Sequence, residues 1–204
     1  MKMRVGRSGL WTGMLVLCPV VFSAAQAQTP KPVVVVLETE KGAIEIEVDV
    51  ARAPNTAANF LKYVDGGYYT GGEFHRAVRP DTETNKEMPI QVVQARRARG
   101  DAVPPGFPPI ALERTSVTGI KHVNGVVSMA RSASPDSASS DFFICIGDQP
   151  ELDFGGKRNA DGQGFGAFGR VTRGMDVVKA IQSAPVGRGQ TLGPPVKILK
   201  AHRR

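Results

Sequence analysis

Apolar positions recur along this chain with two different periods. Val33 to Leu37 is an unbroken aliphatic run, Gly42 marks a tight turn, and Ala43-Ile44-Glu45-Ile46-Glu47-Val48 alternates apolar with polar residues. A period of two sends successive side chains to opposite faces, so these residues predict an antiparallel hairpin with one buried face. The period changes after Pro54, where Ala57, Phe60, Leu61 and Val64 fall on one face of a helix. Proline suits the first turn of that helix and Gly66-Gly67 ends it. Between Tyr68 and Ser140 the pattern is one of strands broken by long polar or proline-rich loops, as at residues 104–109. Val126-Val127-Ser128-Met129 and Phe142-Phe143-Ile144-Cys145-Ile146 read as central strands. Met175 to Ile181 reads as a second helix with Val177, Val178 and Ile181 inward, and Val196 to Leu199 as a closing strand.

Two helices set against many strands, with no alternating βα units, point to a mostly β domain. A barrel or a sandwich with helices over its ends satisfies this pattern. No internal repeat or shift in composition divides residues 33–201, which are expected to form one domain.

The N-terminus has a different character. Lys2, Arg4 and Arg7 precede an apolar run from Leu10 to Ala25 that ends in Ala25-Gln26-Ala27. This is the layout of a secretory signal, and cleavage after Ala27 is expected. An uncleaved anchor fits less well, because the run is shorter than the roughly 20 residues needed to span a bilayer and contains Pro19. Cys18 does not read as a lipidation site, since Leu17 precedes it and the apolar run continues beyond it. Residues 28–32 are expected to be a short flexible lead, and 202–204 a basic, solvated tail.

Removal of residues 1–27 leaves 177 residues and lowers the net charge from +7 to +4, because three cations leave with them. Trp11 and Cys18 leave too, so Cys145 stands alone and no intramolecular disulfide is possible. A chain of this length can build one substantial core. The modest positive surplus, without an aromatic-laced basic tract, argues against nucleic acid as a partner. A monomer with no stable membrane insertion after cleavage is expected.

Few residues suggest metal or nucleophilic chemistry. His75, His122 and His202 lack a compact ligand spacing, so no metal and no cofactor are expected. His75 is read as a structural hydrogen-bonding residue. Ser128, Ser139 and Ser140 lie in no Gly-x-Ser-x-Gly elbow. Residues 155–164 are glycine-rich but lack the Gly-Lys-Ser or Gly-Lys-Thr ending of a phosphate loop, and read as a flexible loop. Cys145, inside an apolar strand, reads as a small core residue.

Phe74-His75-Arg76, the Gln94 segment, Val127-Ser128-Met129-Ala130, Ser140-Asp141-Phe142-Phe143-Ile144 and Phe168-Gly169-Arg170-Val171 occur in that order. Together they resemble the cyclophilin family, most closely its bacterial periplasmic-type members, over about residues 33–201. The resemblance implies a closed eight-stranded antiparallel barrel capped by two helices. It also implies peptidyl-prolyl cis-trans isomerase activity on proline-containing unfolded or partly folded chains, and a periplasmic location ahead of full secretion to the medium. Carried over residue by residue, Arg76 is the catalytic arginine, with Phe74 as its neighbouring aromatic. Gln94 is the glutamine lining the proline site. Val92 stands where a methionine is usual, and Phe143 is the pocket-floor aromatic. Leu152 is a further apolar wall, while Ala130 and Ala133 lie near the neighbouring subsite. Phe165 stands where many members carry a histidine, and His122 belongs to a substrate-facing loop.

Two departures from the family pattern stand out. Arg79 to Pro89 inserts polar, turn-forming residues between the arginine and the glutamine strand. Glu151 precedes Leu152 where eukaryotic members have a tryptophan that helps bind cyclosporin, so weak binding of that drug is implied.

The chemistry asked of such a site is modest. Rotation about a prolyl bond crosses a barrier of roughly 18–20 kcal/mol without breaking a covalent bond. An apolar slot from Phe143, Leu152 and Val92 would take the ring, and Arg76 would favour the twisted amide. A non-catalytic proline-peptide-binding or chaperone module on the same scaffold is the alternative, suggested by Val92 and the insertion. A secreted hydrolase lacks a coherent triad or metal set.

Overall fold

The computed structural model describes Lys2 and residues 32–204. The expected signal and lead fall outside the described residues, apart from Lys2 and Pro32. The first hairpin is the expected one: β1 (Val33–Thr39) pairs antiparallel with β2 (Gly42–Val48), Val33 opposite Val48 and Thr39 opposite Gly42. Alternation buries Val35, Leu37, Ile44, Ile46 and Val48 completely. The turn needs glycine at position 42, where φ is +128° and an added Cβ would come within 2.8 Å of Val177.

Helix α1 (Pro54–Asp65) carries Pro54 in its first turn and buries Ala57, Phe60, Leu61 and Val64 as the spacing predicts. Its N-terminus has no local side-chain cap. Glu113 serves instead, accepting the N–H groups of Asn55 (3.1 Å) and Thr56 (2.7 Å) and the Thr56 hydroxyl (2.6 Å). A carboxylate there satisfies orphan donors and complements the positive end of the helix dipole.

The chain continues through β3 (Glu73–Val78), β4 (Val92–Arg96), a single helical turn α2 (Thr115–Thr118), β5 (Val126–Met129), β6 (Phe142–Cys145), β7 (Gly166–Arg173), α3 (Met175–Gln182) and β8 (Thr191–Arg203). Neighbouring strands follow the order β1-β2-β7-β5-β6-β4-β3-β8, and β8 pairs back onto β1. The sheet is thus a closed eight-stranded antiparallel barrel rather than a sandwich, and closure leaves no free edge. Inside it, Phe60 of α1 meets Phe168 at 4.8 Å and Phe142 at 5.4 Å between ring centroids. In α3, Val178 and Ile181 are buried, while Val177 is half-buried beside Gly42.

The C-terminus departs from expectation. β8 runs far beyond residues 196–199 and takes in His202 and Arg203 of the predicted basic tail, while Arg203 and Arg204 stay exposed. His202 and Arg203 pair with Val36 and Val35, and the Arg204 N–H donates to the Val34 carbonyl at 2.9 Å. Only Leu192, Val196, Ile198 and Ala201 turn inward along the strand. Gly193-Pro194-Pro195 and the outward-facing Lys197, Leu199 and Lys200 lie between them and mask the strand in the sequence.

The insertion between β3 and β4 is folded around a buried carboxylate. Glu83, 2% exposed, accepts the N–H groups of Asn85 (2.9 Å) and Ile90 (3.2 Å) and a guanidinium N–H of Arg158 (2.9 Å). Arg158, from the glycine-rich loop, also donates to the Met88 carbonyl at 2.8 Å. Arg79 ties the insertion to the end of α3, donating to the carbonyls of Gln182 (2.8 Å) and Ala184 (3.0 Å). Burial alone would raise the Glu83 pKa, but the backbone donors and Arg158 outweigh it and hold the carboxyl below its ordinary value.

A depressed folded-state pKa contributes stability that is complete above the unfolded value, about 4.3 for glutamate, and is lost as pH falls through the lowered value. The amides of Asn85 and Ile90 should therefore stay protected from hydrogen exchange at neutral pH and lose protection only at more acid pH. Glu83→Gln should lower their protection about tenfold or more at neutral pH, with barrel-core amides unchanged. Equal protection in both proteins would contradict this role for Glu83.

Candidate active site

The site is built on the outer face of the barrel wall by strand alternation. In the β4–β6 pair, Gln94 lies opposite Phe143 and Val92 opposite Cys145. Val93, Ala95, Phe142 and Ile144 point into the barrel core. Val92, Phe143 and Cys145 point the other way and join Val78, Ile90, Leu152 and Phe165 in a second apolar cluster, with Ala130 against it. Cys145 is thus buried as expected, but on the site side of the wall, where burial pushes its thiol pKa far up and keeps it inert.

Arg76 reaches this face because β3 is irregular. A register shift falls between Phe74 and Arg76, so the two residues, two apart, do not share a face. Phe74 lies fully buried in the barrel core, 6.2 Å from Phe142, whereas Arg76 lines the outer cleft. Re-aiming one side chain in this way is what a β-bulge does.

The cleft has a volume of about 270 Å³. Its apolar side comes from Ile90, Val92, Ala130, Phe143, Leu152 and Phe165, and its polar side from Arg76, Gln94, Arg131, Arg158 and Asn159. Phe165 stands edge-on to Phe143, with centroids 5.4 Å apart at 88°. The Arg76 guanidinium donates through Nη1 to Gln94 Oε1 (3.2 Å), and through Nε (3.1 Å) and Nη2 (2.6 Å) to Gln190 Oε1. Its pKa is lowered by burial first and by nearby Arg158 second, yet arginine remains the cation at neutral pH. The other two arginines are paired with carboxylates, Arg131 with Asp161 (2.8 Å) and Arg158 with Glu83 (2.9 Å).

The structure therefore gathers Arg76, Gln94, Val92, Ala130, Phe143, Leu152 and Phe165 into one cleft and leaves three expected residues out. Phe74 is a core residue, for the reason just given. Ala133 is exposed in the loop after β5 and does not line the cleft. His122 is buried behind Phe143, its ring stacked on the phenyl at 5.9 Å and 19°. His122 Nδ1 lies 2.8 Å from Asp153 Oδ1, and Nε2 lies 2.9 Å from Ser128 Oγ. The carboxylate can only accept, which fixes a proton on Nδ1, and Nε2 shares a hydrogen bond with the serine hydroxyl. Burial would raise the Asp153 pKa, but the His122 donors outweigh it, and the carboxyl stays below its ordinary value. This serine–histidine–aspartate chain resembles a nucleophilic triad only in connectivity, because Ser128 is wholly buried. It props the floor ring instead. The expectation that His75 makes structural hydrogen bonds fails at its buried Nδ1, which has no partner among the described residues.

Sequence reasoning missed Ile90, Arg131, Arg158 and Asn159 on the cleft, and Gln190 behind it. Ile90 follows the insertion directly and Arg131 follows Ala130, so proximity in sequence is a usable signal for both. Gln190 lies 114 residues from Arg76 and carried none. A second, more polar depression of about 540 Å³ opens where β4 ends and β6 begins, with Arg97, Arg99, Ser139, Ser140 and Asp141 among its lining. Among the described residues, no group of three or more His, Cys, Asp or Glu side chains is placed to hold a metal ion.

Comparison with known proteins agrees with this architecture. The profile of the family described as cyclophilin type peptidyl-prolyl cis-trans isomerase/CLD matches residues 34–203. Peptidyl-prolyl cis-trans isomerase A of Dickeya dadantii is 34% identical over 191 residues, covering 91% of this chain and 92% of its own. Peptidyl-prolyl cis-trans isomerase B of Escherichia coli is 32% identical, covering 76% of this chain and 87% of its own. Among solved structures, a Cryptosporidium parvum cyclophilin type isomerase, crystallised in the presence of the dipeptide Ala-Pro, superposes with a TM-score of 0.67 at 20% identity. That match covers 84% of this chain and 98% of the other and concerns the fold alone. By family profile and by identity across nearly its whole length, the chain belongs to the cyclophilin type peptidyl-prolyl cis-trans isomerases.

Proposed function

We propose that this protein accelerates cis-trans isomerisation of X-Pro bonds in exported polypeptides, as a periplasmic-type member of its family. The observation that carries the reaction is a guanidinium held by two neutral amides beside an apolar floor. Arg76 has five N–H donors, of which Gln94 and Gln190 occupy three. Two remain for a ligand in the cleft. A proline ring seated against Phe143, Leu152 and Val92 would place its amide within reach of that edge.

The amide loses resonance as it twists, and its nitrogen recovers a lone pair. A hydrogen bond from Arg76 to that nitrogen exists only in the twisted state, so it lowers the barrier rather than merely tightening binding. Because Arg76 is bonded to no carboxylate among the described residues, its charge is left to act on the substrate, in a cleft that screens it less than water does. Gln94 orients the guanidinium and offers its own amide N–H groups to substrate backbone. The polar depression beside Ser139 and Asp141 would take residues flanking the proline. The dipeptide present with the Cryptosporidium parvum relative supports a proline-containing ligand as the class to try first.

Export rests on the sequence of residues 1–27, with its cationic start, apolar run and Ala25-Gln26-Ala27 ending. Among the described residues no helix is long and apolar enough to cross a membrane.

Arg76→Ala should lower kcat/KM on a prolyl tetrapeptide about 100- to 1000-fold, the cost of removing one preorganised donor to developing charge, while the unfolding midpoint barely changes. Phe143→Ala should instead act mainly on KM. Background rates in both wild type and Arg76→Ala, with peptide still bound, would replace catalysis by a binding or chaperone role. For export, the full chain expressed in a Gram-negative host should appear in the osmotic-shock fraction with Gln28 as its first residue. Retention in the cytoplasm with residues 1–27 intact would overturn that part.

A further inference from the structure

Gln190 lies outside the cleft lining, yet it contributes two of the three hydrogen bonds that hold Arg76. Its backbone is unusual. At φ +65° it is the one non-glycine residue with positive φ among the described residues, and it is 5% exposed. A side chain in that region is unfavourable, and such strain persists only where the surroundings impose it. Here the surroundings use both ends of the amide. Gln190 Oε1 accepts from Nε and Nη2 of Arg76, the two parallel donors on one edge of the guanidinium, while Nε2 donates to the Thr82 carbonyl at 3.0 Å. These contacts fix the amide orientation, since reversing it would face N–H against N–H and oxygen against oxygen. Thr82 belongs to the insertion, which the Glu83–Arg158 pair and the Arg79 contacts hold against the barrel.

We infer that Gln190 is a positioning residue for the isomerase reaction: anchored by the Thr82 carbonyl of the 79–89 insertion, it locks the Nε edge of Arg76 and leaves the two free N–H groups, one on Nη1 and one on Nη2, for the substrate. The inference rests on Arg76 being the acting group. It gives the insertion a role in turnover, because the insertion supplies the fixed point against which the guanidinium is set. Misplacing a catalytic group by a fraction of an ångström costs rate even when binding survives.

Gln190→Gly separates the side chain from the backbone, because glycine accepts φ +65° without strain. It should lower kcat about tenfold with KM within about twofold, and leave the unfolding midpoint equal or higher. Gln190→Glu keeps an acceptor for the same guanidinium edge, but it puts a carboxylate on Arg76 and loses the donor to the Thr82 carbonyl, so it should hold the edge and still lower kcat. A second readout does not depend on activity. In nitrogen-15 spectra the Arg76 Nε–H of wild type and Gln190→Glu should exchange slowly with solvent, and in Gln190→Gly it should exchange at least tenfold faster. Wild-type kcat together with unchanged Nε–H exchange in Gln190→Gly would overturn the inference. So would Nε–H exchange in Gln190→Glu as fast as in Gln190→Gly. If wild type showed no turnover, the proposed function would fail on its own, and the Nε–H exchange would still decide whether Gln190 holds Arg76.

Discussion

The alternation of side chains across the paired strands β4 and β6 is the constraint on which the molecule depends. One strand face fills the barrel with Val93, Ala95, Phe142 and Ile144, while the other presents Val92, Gln94 and Phe143 to the cleft. Core and site are two sides of the same backbone. The floor of the site is therefore as rigid as the barrel wall, and Phe143 is backed by a buried histidine that is itself fixed at both ring nitrogens. A site built on strands holds its geometry better than one built on loops.

Electrostatics distinguish the three arginines of the cleft. Arg131 and Arg158 are bonded to carboxylates and serve to fasten loops. Among the described residues Arg76 is bonded only to amide oxygens, which orient a cation without neutralising it. Carboxylate partners would be stronger, but they would spend the charge that a twisting amide needs. The insertion reconciles these demands by keeping Glu83 on Arg158 and lending only a backbone carbonyl, through Gln190, to the support of Arg76.

Much of this was legible in the residues. Period-two alternation marks the first hairpin and helix spacing marks α1 and α3, because each buries one apolar face, while short apolar runs mark β5 and β6, which are buried on both faces. β8 shows only in part, since four inward residues spread over thirteen positions make a faint pattern. Most of the cleft followed from short matches to the family, and those matches failed where orientation depends on a detail invisible in sequence. Phe74 and Arg76 share strand parity, so only the register shift between them sends one inward and the other out. His122 sits beside the site in sequence terms, yet its two side-chain partners draw it beneath the floor ring. Gln190 could not be found at all, because its role arises from a contact between distant segments.

The central claim is that Arg76 acts on the twisted amide and not on binding. Exchange spectroscopy on an Ala-Pro peptide, saturating first wild type and then Arg76→Ala, measures affinity and the rate of cis-trans exchange on the bound peptide in one experiment. The account predicts that affinity changes only a few-fold while bound exchange slows about 100-fold or more. Affinity and exchange falling together, or bound exchange as fast without the arginine as with it, would contradict it.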